Sequence, residues 1–481
     1  MPLATLTPNL TRRAAGLLLA GAAAAALSAC ATVPRLGPAP QAKSPAAYEA
    51  AATFAAPAAA WPQDRWWAAY GDPQLDKLVD EALAGAPTLA QAQARARQAG
   101  ALAEEAGAVL APQVGVEASV SGVKQSYNQG IPSALVPHGW HDAGRVAVDM
   151  AWDLDLFGRN RANLAAATSE AQAARAETAE TRLALSTSIA GAYAALDQLY
   201  TERDAARDAV RVRTDSETLI DSRVAQGLDT RAAGERAHSA RAAAQAELAA
   251  LDESIGLTKN QIAALLGQGP DRGRAIGRPT PSAIHAFGLP ANLPAELVGR
   301  RPDLVAARLT AEAASHRIRA AKADFYPDVN LIAVIGQSSL GLSMLTKSSS
   351  TFGQAGPAIT LPIFSGGRLE GAYRGARANY DLAVATYDQT LAQALQEVAD
   401  SVVSAQALDA RLASSREALT AADTAYDLTR QRYARGLGTY LDVLSAEDAL
   451  IIQQRAVANL ETRAFVLDVA LIRALGGGYR A

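Results

Sequence analysis

Ser222-Arg-Val-Ala-Gln-Gly-Leu-Asp-Thr230 is matched 209 residues later by Gln431-Arg-Tyr-Ala-Arg-Gly-Leu-Gly-Thr439. In each stretch a glycine, Gly227 or Gly436, interrupts a helical pattern. Glycine reaches the left-handed conformation that ends a helix without a side-chain penalty. Each stretch therefore predicts the turn of an antiparallel helical hairpin, and we expect two such hairpins in the chain.

The match extends over most of the chain as a twofold internal repeat. At an offset of 215 residues Pro87 meets Pro302 and Leu89 meets Leu304. The offset then falls to 207, where Phe157 meets Phe364 and Arg161 meets Arg368. Pro112 also meets Pro327 at the offset of 215. The first half thus carries eight extra residues (215 − 207) between Pro112 and Phe157, and insertions of this kind lie in loops.

Proline placement predicts very long helices in both halves. No proline occurs between Pro137 and Pro270, nor after Pro362, and a proline inside a helix costs about 3 kcal/mol. We expect helical hairpins over about 160–267 and 366–475. Apolar residues at steps of three and four predict coiled-coil contacts along them, as at Leu185, Ile189, Leu196, Val384, Tyr387, Leu391, Leu395, Val398 and Val402.

Four stretches alternate apolar and polar residues and are predicted as β-strands, at about 113–123, 144–155, 328–337 and 354–363. About ten residues of alternation are typical of a membrane barrel strand, with lipid on one side and water on the other. The alternative is a pair of soluble hairpins packed on the helices. Four strands do not close a barrel, since about eight is the smallest number that does. A membrane barrel therefore needs two copies with eight strands or three with twelve.

The amino terminus has the pattern of a bacterial lipoprotein signal. Arg12 and Arg13 precede an apolar run that ends in Leu27-Ser-Ala-Cys30, which contains the only cysteine of the chain. We predict that residues 1–29 are removed and that Cys30 is acylated, the alternative being a chance cysteine at an ordinary cleavage site. Residues 30–62 are rich in proline and alanine and are predicted as an extended tether with little core of its own. The two repeats are expected over 63–269 and 296–478, joined by a link over 270–295.

Composition and motifs exclude several classes of function. A net charge of −3 argues against a nucleic-acid-binding protein, which needs a basic face. A single cysteine excludes a disulfide framework and a cysteine zinc site. The sequence contains no His-Glu-x-x-His, Gly-x-Ser-x-Gly or phosphate-loop pattern, so we expect no catalytic residues, cofactor or metal site.

Together these features resemble the TolC-like outer-membrane efflux channels, specifically the NodT-type lipoproteins. The resemblance runs from about residue 66 to 478. Its markers are Trp66-Trp-Ala-Ala-Tyr-Gly-Asp-Pro-Gln-Leu75, Leu297-Val-Gly-Arg-Arg-Pro-Asp-Leu304, Phe325-Tyr-Pro327 and the stretch from Arg432 to Ala446. It implies a mainly α-helical fold with a β-barrel contribution: a homotrimer with a shared twelve-stranded barrel in the outer membrane and a helical tunnel in the periplasm.

The resemblance also implies partners and site residues. The partners are a periplasmic adaptor, an inner-membrane pump of the resistance-nodulation-division type, and outer-membrane lipid. Asp442 matches the first carboxylate of the periplasmic gate and Tyr433 the tyrosine that holds it closed, whereas Ser445 and Gly438 depart from the gate pattern. The two tips are expected to contact the adaptor through Gly227, Leu228, Thr230, Gly436, Leu437 and Thr439.

Three functions remain open at this point. The leading interpretation is a passive exit duct for small molecules such as drugs, anchored in the outer membrane of a Gram-negative bacterium. The alternatives are a type I protein-secretion duct and a lipid-anchored periplasmic scaffold without a channel. An enzyme is disfavoured because no catalytic motif is present.

Overall fold

The computed structural model describes residues 33–50, 52–128, 132–280 and 288–480. The predicted signal segment and Cys30 lie outside the described residues. Within them the helices are α1 (Pro73–Gly85), α2 (Pro87–Ala108), α3 (Arg159–Ala225), α4 (Arg231–Leu265), α5 (Pro270–Arg274), α6 (Leu293–Arg300), α7 (Pro302–Ala323), α8 (Arg368–Ala434) and α9 (Tyr440–Ala474). The strands are β1 (Gln113–Val123), β2 (His141–Asp153), β3 (Asp328–Leu340) and β4 (Thr351–Thr360).

The helices confirm the twofold repeat in their lengths. Helices α2 and α7 both have 22 residues, α3 and α8 both have 67, and α4 and α9 both have 35. The predicted pairing of Arg161 with Arg368 is wrong, because α3 begins at Arg159 and α8 at Arg368. The second half turns into its helix through two glycines at positive φ, Gly366 and Gly367, where the first half uses Gly158 alone.

The four strands form one antiparallel sheet in the order β1-β2-β3-β4. The register places Val116 opposite Val148, and Val148 opposite Ile335. Because side chains alternate along a strand, one face of the sheet is almost wholly apolar: Val114, Val116, Ala118, Val120, Val146, Val148, Met150, Trp152, Leu331, Ala333, Ile335, Pro357 and Ile359. The opposite face contains most of the polar side chains: Glu117, Ser119, Arg145, Asp149, Asn330, Ser338 and Gln354.

Several predicted boundaries differ from those in the structure. Strand β2 begins at His141 rather than about 144, and β3 continues to Leu340 rather than about 337, because the last residues of β3 pair with the first of β2. Strand β4 spans Thr351–Thr360 rather than 354–363, since Pro362 has no N–H with which to continue the ladder. The connection between β1 and β2 is longer than that between β3 and β4, which is where the insertion was expected.

The described chain divides into two compact units. One contains residues 33–41, 97–172 and 308–385, and thus the whole sheet. The other contains 42–96, 173–307 and 386–480, with three buried apolar clusters. The predicted apolar contacts are confirmed at Tyr387, Leu391, Leu395, Val398 and Val402, which belong to one of these clusters. Val384 is buried as well.

The predicted tether is extended but is not free of the core. Tyr48, Phe54 and Trp61 pack against a buried cluster of the second unit, around Leu391 and Leu471. The Lys43 backbone N–H donates to Asp388 Oδ1 at 2.8 Å. Burial of these aromatic rings stabilises the contact, so this part of the segment is held against the core of the second unit.

None of the helices in the described ranges combines the length and the hydropathy that a membrane-spanning helix requires.

Candidate gate and docking site at the hairpin tips

The two hairpin turns have the same backbone geometry. Gly227, two residues after the end of α3, has a φ of 70°, and Gly436, two residues after the end of α8, has a φ of 75°. In the first turn Leu228 N donates to Arg223 O at 2.8 Å, and Gly227 N donates to Val224 O at 3.0 Å. The second turn repeats both bonds from Leu437 and Gly436, at 2.9 Å each. This is the Schellman pattern, which satisfies the last carbonyl groups of a helix.

The return helices begin with threonine caps. Thr230 Oγ1 accepts from Ala233 N at 3.2 Å, and Thr439 Oγ1 accepts from Asp442 N at 3.4 Å. A side-chain oxygen at this position satisfies an N–H group that the helix leaves unpaired. Both threonines therefore have a structural role in their turns, whatever else they contact.

Asp442 completes a capping box at the start of α9. Its Oδ2 accepts from Thr439 N at 2.8 Å and from Thr439 Oγ1 at 2.9 Å. The bond from the Thr439 backbone N–H is the main reason that the pKa of Asp442 lies below its ordinary value. The carboxylate is thus charged at neutral pH, exposed, and held in one orientation. The Thr-x-x-Asp spacing is itself the sequence signature of this cap.

Tyr433 joins the two tips of the chain. Its hydroxyl donates to Asp229 Oδ2 at 2.9 Å, and the Arg223 guanidinium lies 4.7 Å from the centre of its ring. Burial, and then the bond to Asp229, raise the pKa of Tyr433 to about 12, so the hydroxyl keeps its proton at neutral pH. Sequence reasoning missed Asp229 and Arg223, although both lie within or beside the first quoted turn.

A buried cluster supports this link. It contains Ile220, Ala233, Ala237, Tyr426, Tyr433, Tyr440, Val443 and Leu450. Beside it, Arg213 Nε lies 3.1 Å from Glu447 Oε1, and Arg213 Nη1 donates to Ala240 O at 2.9 Å. Glu447 is only 1% exposed, and desolvation raises its pKa. Arg213 therefore connects α3, α4 and α9 behind the tips, a contact that the sequence analysis did not identify.

The ends of both turns carry exposed leucines. Leu228 is 61% exposed and Leu437 is 66% exposed. The structure thus brings the predicted tip residues to two equivalent turns, with the glycines and threonines shaping the backbone and the leucines facing solvent. Among the described residues no group of acidic, histidine or cysteine side chains is arranged to hold a metal ion.

Comparison with known proteins identifies the family. A sequence model of the outer membrane efflux proteins matches residues 78–268 and 293–477, one stretch in each half of the chain. The chain belongs to the outer membrane efflux protein family. Its twofold repeat, four strands and two long hairpins are thus features of an efflux protein.

Individual relatives agree with this assignment. The multidrug resistance outer membrane protein MdtP of Escherichia coli K12 is 30% identical over 428 residues, which are 88% of each chain. The fusaric acid resistance protein FusA of Burkholderia cepacia is 34% identical over 66% of this chain and 61% of its own. The crystal structure of the outer membrane protein VceC of Vibrio cholerae has a TM-score of 0.83 and 45% identity, covering 87% of this chain and 100% of that one.

These findings establish the general function and location. The efflux protein is an outer-membrane channel with the TolC-like fold, and its relatives are efflux channel proteins rather than enzymes. The expected family, fold class and outer-membrane location are confirmed. The gate residues, the tip contacts and the lipidated cysteine stay predictions.

Proposed function

We propose that the protein is the passive exit duct of a tripartite efflux system that expels small molecules such as drugs. Its partners are a periplasmic adaptor and an inner-membrane pump of the resistance-nodulation-division type, which supplies the energy. The printed names of MdtP and FusA, which refer to multidrug and fusaric acid resistance, support small molecules over secreted proteins as the cargo.

The observation that carries this proposal is the four-stranded sheet with one apolar face. The order β1-β2-β3-β4 leaves the outer edges of β1 and β4 without a strand partner among the described residues. An unpaired edge in lipid costs several kcal/mol for each unsatisfied backbone group. The edges are satisfied if neighbouring copies pair β1 with β4, and three copies give twelve strands around a pore lined by the polar face.

Anchoring by lipid is a separate part of the proposal. Acyl chains on Cys30 would hold the mature amino terminus at the membrane, since each buried methylene contributes about 0.8 kcal/mol. The segment that follows packs Tyr48 and Trp61 against the helical core. This packing supports a tether that is held at both ends, by the lipid and by the core.

The tips supply the gate and the docking site in this proposal. Tyr433 and Asp229 hold the two hairpins of one chain together, and Asp442 presents a charged, oriented carboxylate from each copy. Like charges around a narrow axis attract cations and repel one another. Leu228 and Leu437, both exposed, provide the apolar contacts for an adaptor hairpin.

The experiment that tests the duct is the mass of the detergent-extracted particle, corrected for bound detergent, together with drug susceptibility of an efflux-deficient host that expresses the chain. We expect three chains that separate only on heating, and restored resistance when a matching pump and adaptor are present. A stable monomer would place the strands outside the bilayer. It would favour the lipid-anchored scaffold.

Substitution of Asp442 separates its capping role from its charge. We expect Asp442→Asn to keep an acceptor for Thr439 while removing the charge, and so to weaken block of single channels by divalent cations several-fold. Asp442→Ala removes the cap as well and should also loosen the start of α9. Single-channel recordings with and without magnesium measure the first effect. Equal block in wild type and Asp442→Asn would remove Asp442 from the gate.

A further inference from the structure

A second site lies at the opposite end of α3, in the unit that contains the sheet. A groove of about 550 Å³ is formed by the start of α3 and the end of α7. Strand β2 ends at Asp153 and β3 begins at Asp328, so the groove lies where the sheet meets the helices. The side chains that matter here are Phe157, Arg161, His316, Arg319, Lys322 and Tyr326.

Two aromatic rings form one wall of this groove. Phe157 and Tyr326 stack with ring centres 4.9 Å apart and an angle of 11° between the planes. Both remain substantially exposed, at 47% and 39%. Aromatic residues are enriched at the level of lipid headgroups, where one end of the ring is apolar and the other is wet. The adjacent side chain of Leu156, also exposed, extends this apolar zone beyond the groove.

Apart from small glycine and alanine residues, the rest of the lining is basic. Arg319 and Lys322 are exposed, and neither has a carboxylate within ion-pair distance among the described residues. Arg161 pairs with Asp155 through Nε at 3.1 Å, yet its side chain is 63% exposed. No carboxylate lines the groove. Arg319 and Lys322 thus face the cavity without a carboxylate partner, with Arg319 also contacting His316 Nδ1. Arg161 faces the same cavity while paired with Asp155, which lies outside the lining.

The other half of the repeat lacks this arrangement. At the offset of 215 residues that relates α7 to α2, the positions of His316, Arg319 and Lys322 are occupied by Ala101, Glu104 and Gly107. The repeat fold therefore does not require basic residues here. The basic residues at the end of α7 thus have no counterpart in α2, and the charge of the groove calls for an explanation other than helix packing.

We propose that the groove binds the phosphodiester headgroup of an anionic phospholipid at the periplasmic surface of the outer membrane. Arg319 and Lys322 contact the phosphate, Arg161 adds positive charge, and the stacked rings lie against the start of the acyl chains. Basic residues near a membrane surface attract anionic lipid. The inference rests on the proposed placement of the strands in the bilayer, because this end of the sheet is then the membrane boundary.

The test measures lipid retained by the purified full-length protein in detergent, by native mass spectrometry. The added probes are phosphatidylglycerol, phosphatidylcholine and inorganic phosphate. We expect wild type to retain phosphatidylglycerol well above phosphatidylcholine. The variant Arg319→Glu/Lys322→Glu should bind phosphatidylglycerol roughly 10-fold more weakly or worse. The control Arg97→Glu/Arg374→Glu makes the same change in charge at exposed residues of the same unit and should bind like wild type.

Three results would overturn the proposal. They are equal retention of the two lipids by wild type, unchanged retention by Arg319→Glu/Lys322→Glu, and complete displacement of the lipid by millimolar phosphate, which would assign the groove to free phosphate. If the double variant does not assemble, Arg319→Gln/Lys322→Gln replaces it and should also bind phosphatidylglycerol more weakly than wild type.

Drug resistance measured in parallel separates the lipid site from the exit duct. If wild type restores resistance without retaining the lipid, only the proposal of a lipid site in the groove is contradicted. If wild type retains the lipid without restoring resistance, only the proposal of an exit duct is contradicted.

Discussion

Replacing Tyr433 with phenylalanine should make the channel conduct far more readily from the periplasmic side. The substitution keeps the ring and its contact with Arg223 but removes the hydroxyl that donates to Asp229 at 2.9 Å. A hydrogen bond to a charged group contributes about 1.5–3 kcal/mol. In the proposed trimer three such bonds, one in each copy, break together when the channel opens. Their removal by Tyr433→Phe therefore lowers the stability of the closed state relative to the open state by roughly 5 kcal/mol or more. That shifts the ratio of open to closed channels by about three to four orders of magnitude.

Planar-bilayer recordings of the purified protein measure this effect as open probability. The matched control is Tyr426→Phe, which removes a hydroxyl from the same buried cluster but one that interacts with Arg430 on its own helix. We expect the control to behave like wild type. An intact oligomer with unchanged open probability in Tyr433→Phe would show that the bond to Asp229 does not hold the gate.

Arg301→Met should destabilise the folded chain strongly. The guanidinium is 9% exposed. It donates to Asp303 through Nε at 3.0 Å and Nη2 at 2.6 Å, and to Glu397 through Nη1 at 2.6 Å. Removing one member of a buried ion pair costs about 3–5 kcal/mol. Because Asp303 and Glu397 are 26% and 48% exposed, we expect the loss for Arg301→Met to lie at the lower end, about 3 kcal/mol. The midpoint of thermal loss of helical circular dichroism measures the change.

The deficit of Arg301→Met should also grow with pH. Burial, and then the charge of Asp303, raise the pKa of Glu180 to about 7, while Arg301 opposes that shift. When folding raises the pKa of a carboxyl group, the folded state binds its proton more tightly than the unfolded chain does. The stability that this provides is fully present below the pKa of the unfolded chain and is lost as pH rises through the pKa of the folded state. Without Arg301 the pKa of Glu180 rises further, so the loss of stability is larger at pH 8 than at pH 5.

A matched control for this substitution is Arg317→Met. Arg317 pairs with Glu170 at 3.1 Å, but both side chains are about half exposed. Exposed ion pairs contribute about 0–1 kcal/mol. We therefore expect a small effect with little pH dependence. If the midpoint of thermal unfolding falls by a similar amount in Arg301→Met and Arg317→Met, the network around Arg301 stabilises the fold no more than an ordinary surface ion pair does.

Local features of the sequence predicted most of the fold. The glycine turns at Gly227 and Gly436, the absence of proline over long stretches, and the alternation in the strands each act through residues close in sequence. Errors fell at the ends of elements, where pairing across the sheet decides the outcome. Strand β3 extends to Leu340 because β2 offers partners there, and β4 stops before Pro362.

The functional residues divide in the same way. The turns, the threonine caps and the exposed leucines follow from helix-end chemistry, which is local and therefore readable along the chain. The partner of Tyr433, by contrast, is Asp229, which lies 204 residues away in the sequence. Similarly, nothing in the sequence around the adjacent residues Arg300 and Arg301 shows which of the two is buried. The groove of Arg161, Arg319 and Lys322 likewise combines the start of one helix with the end of another. Such contacts depend on how distant helices pack, because burial and charge pairing arise only when that packing removes water from both partners.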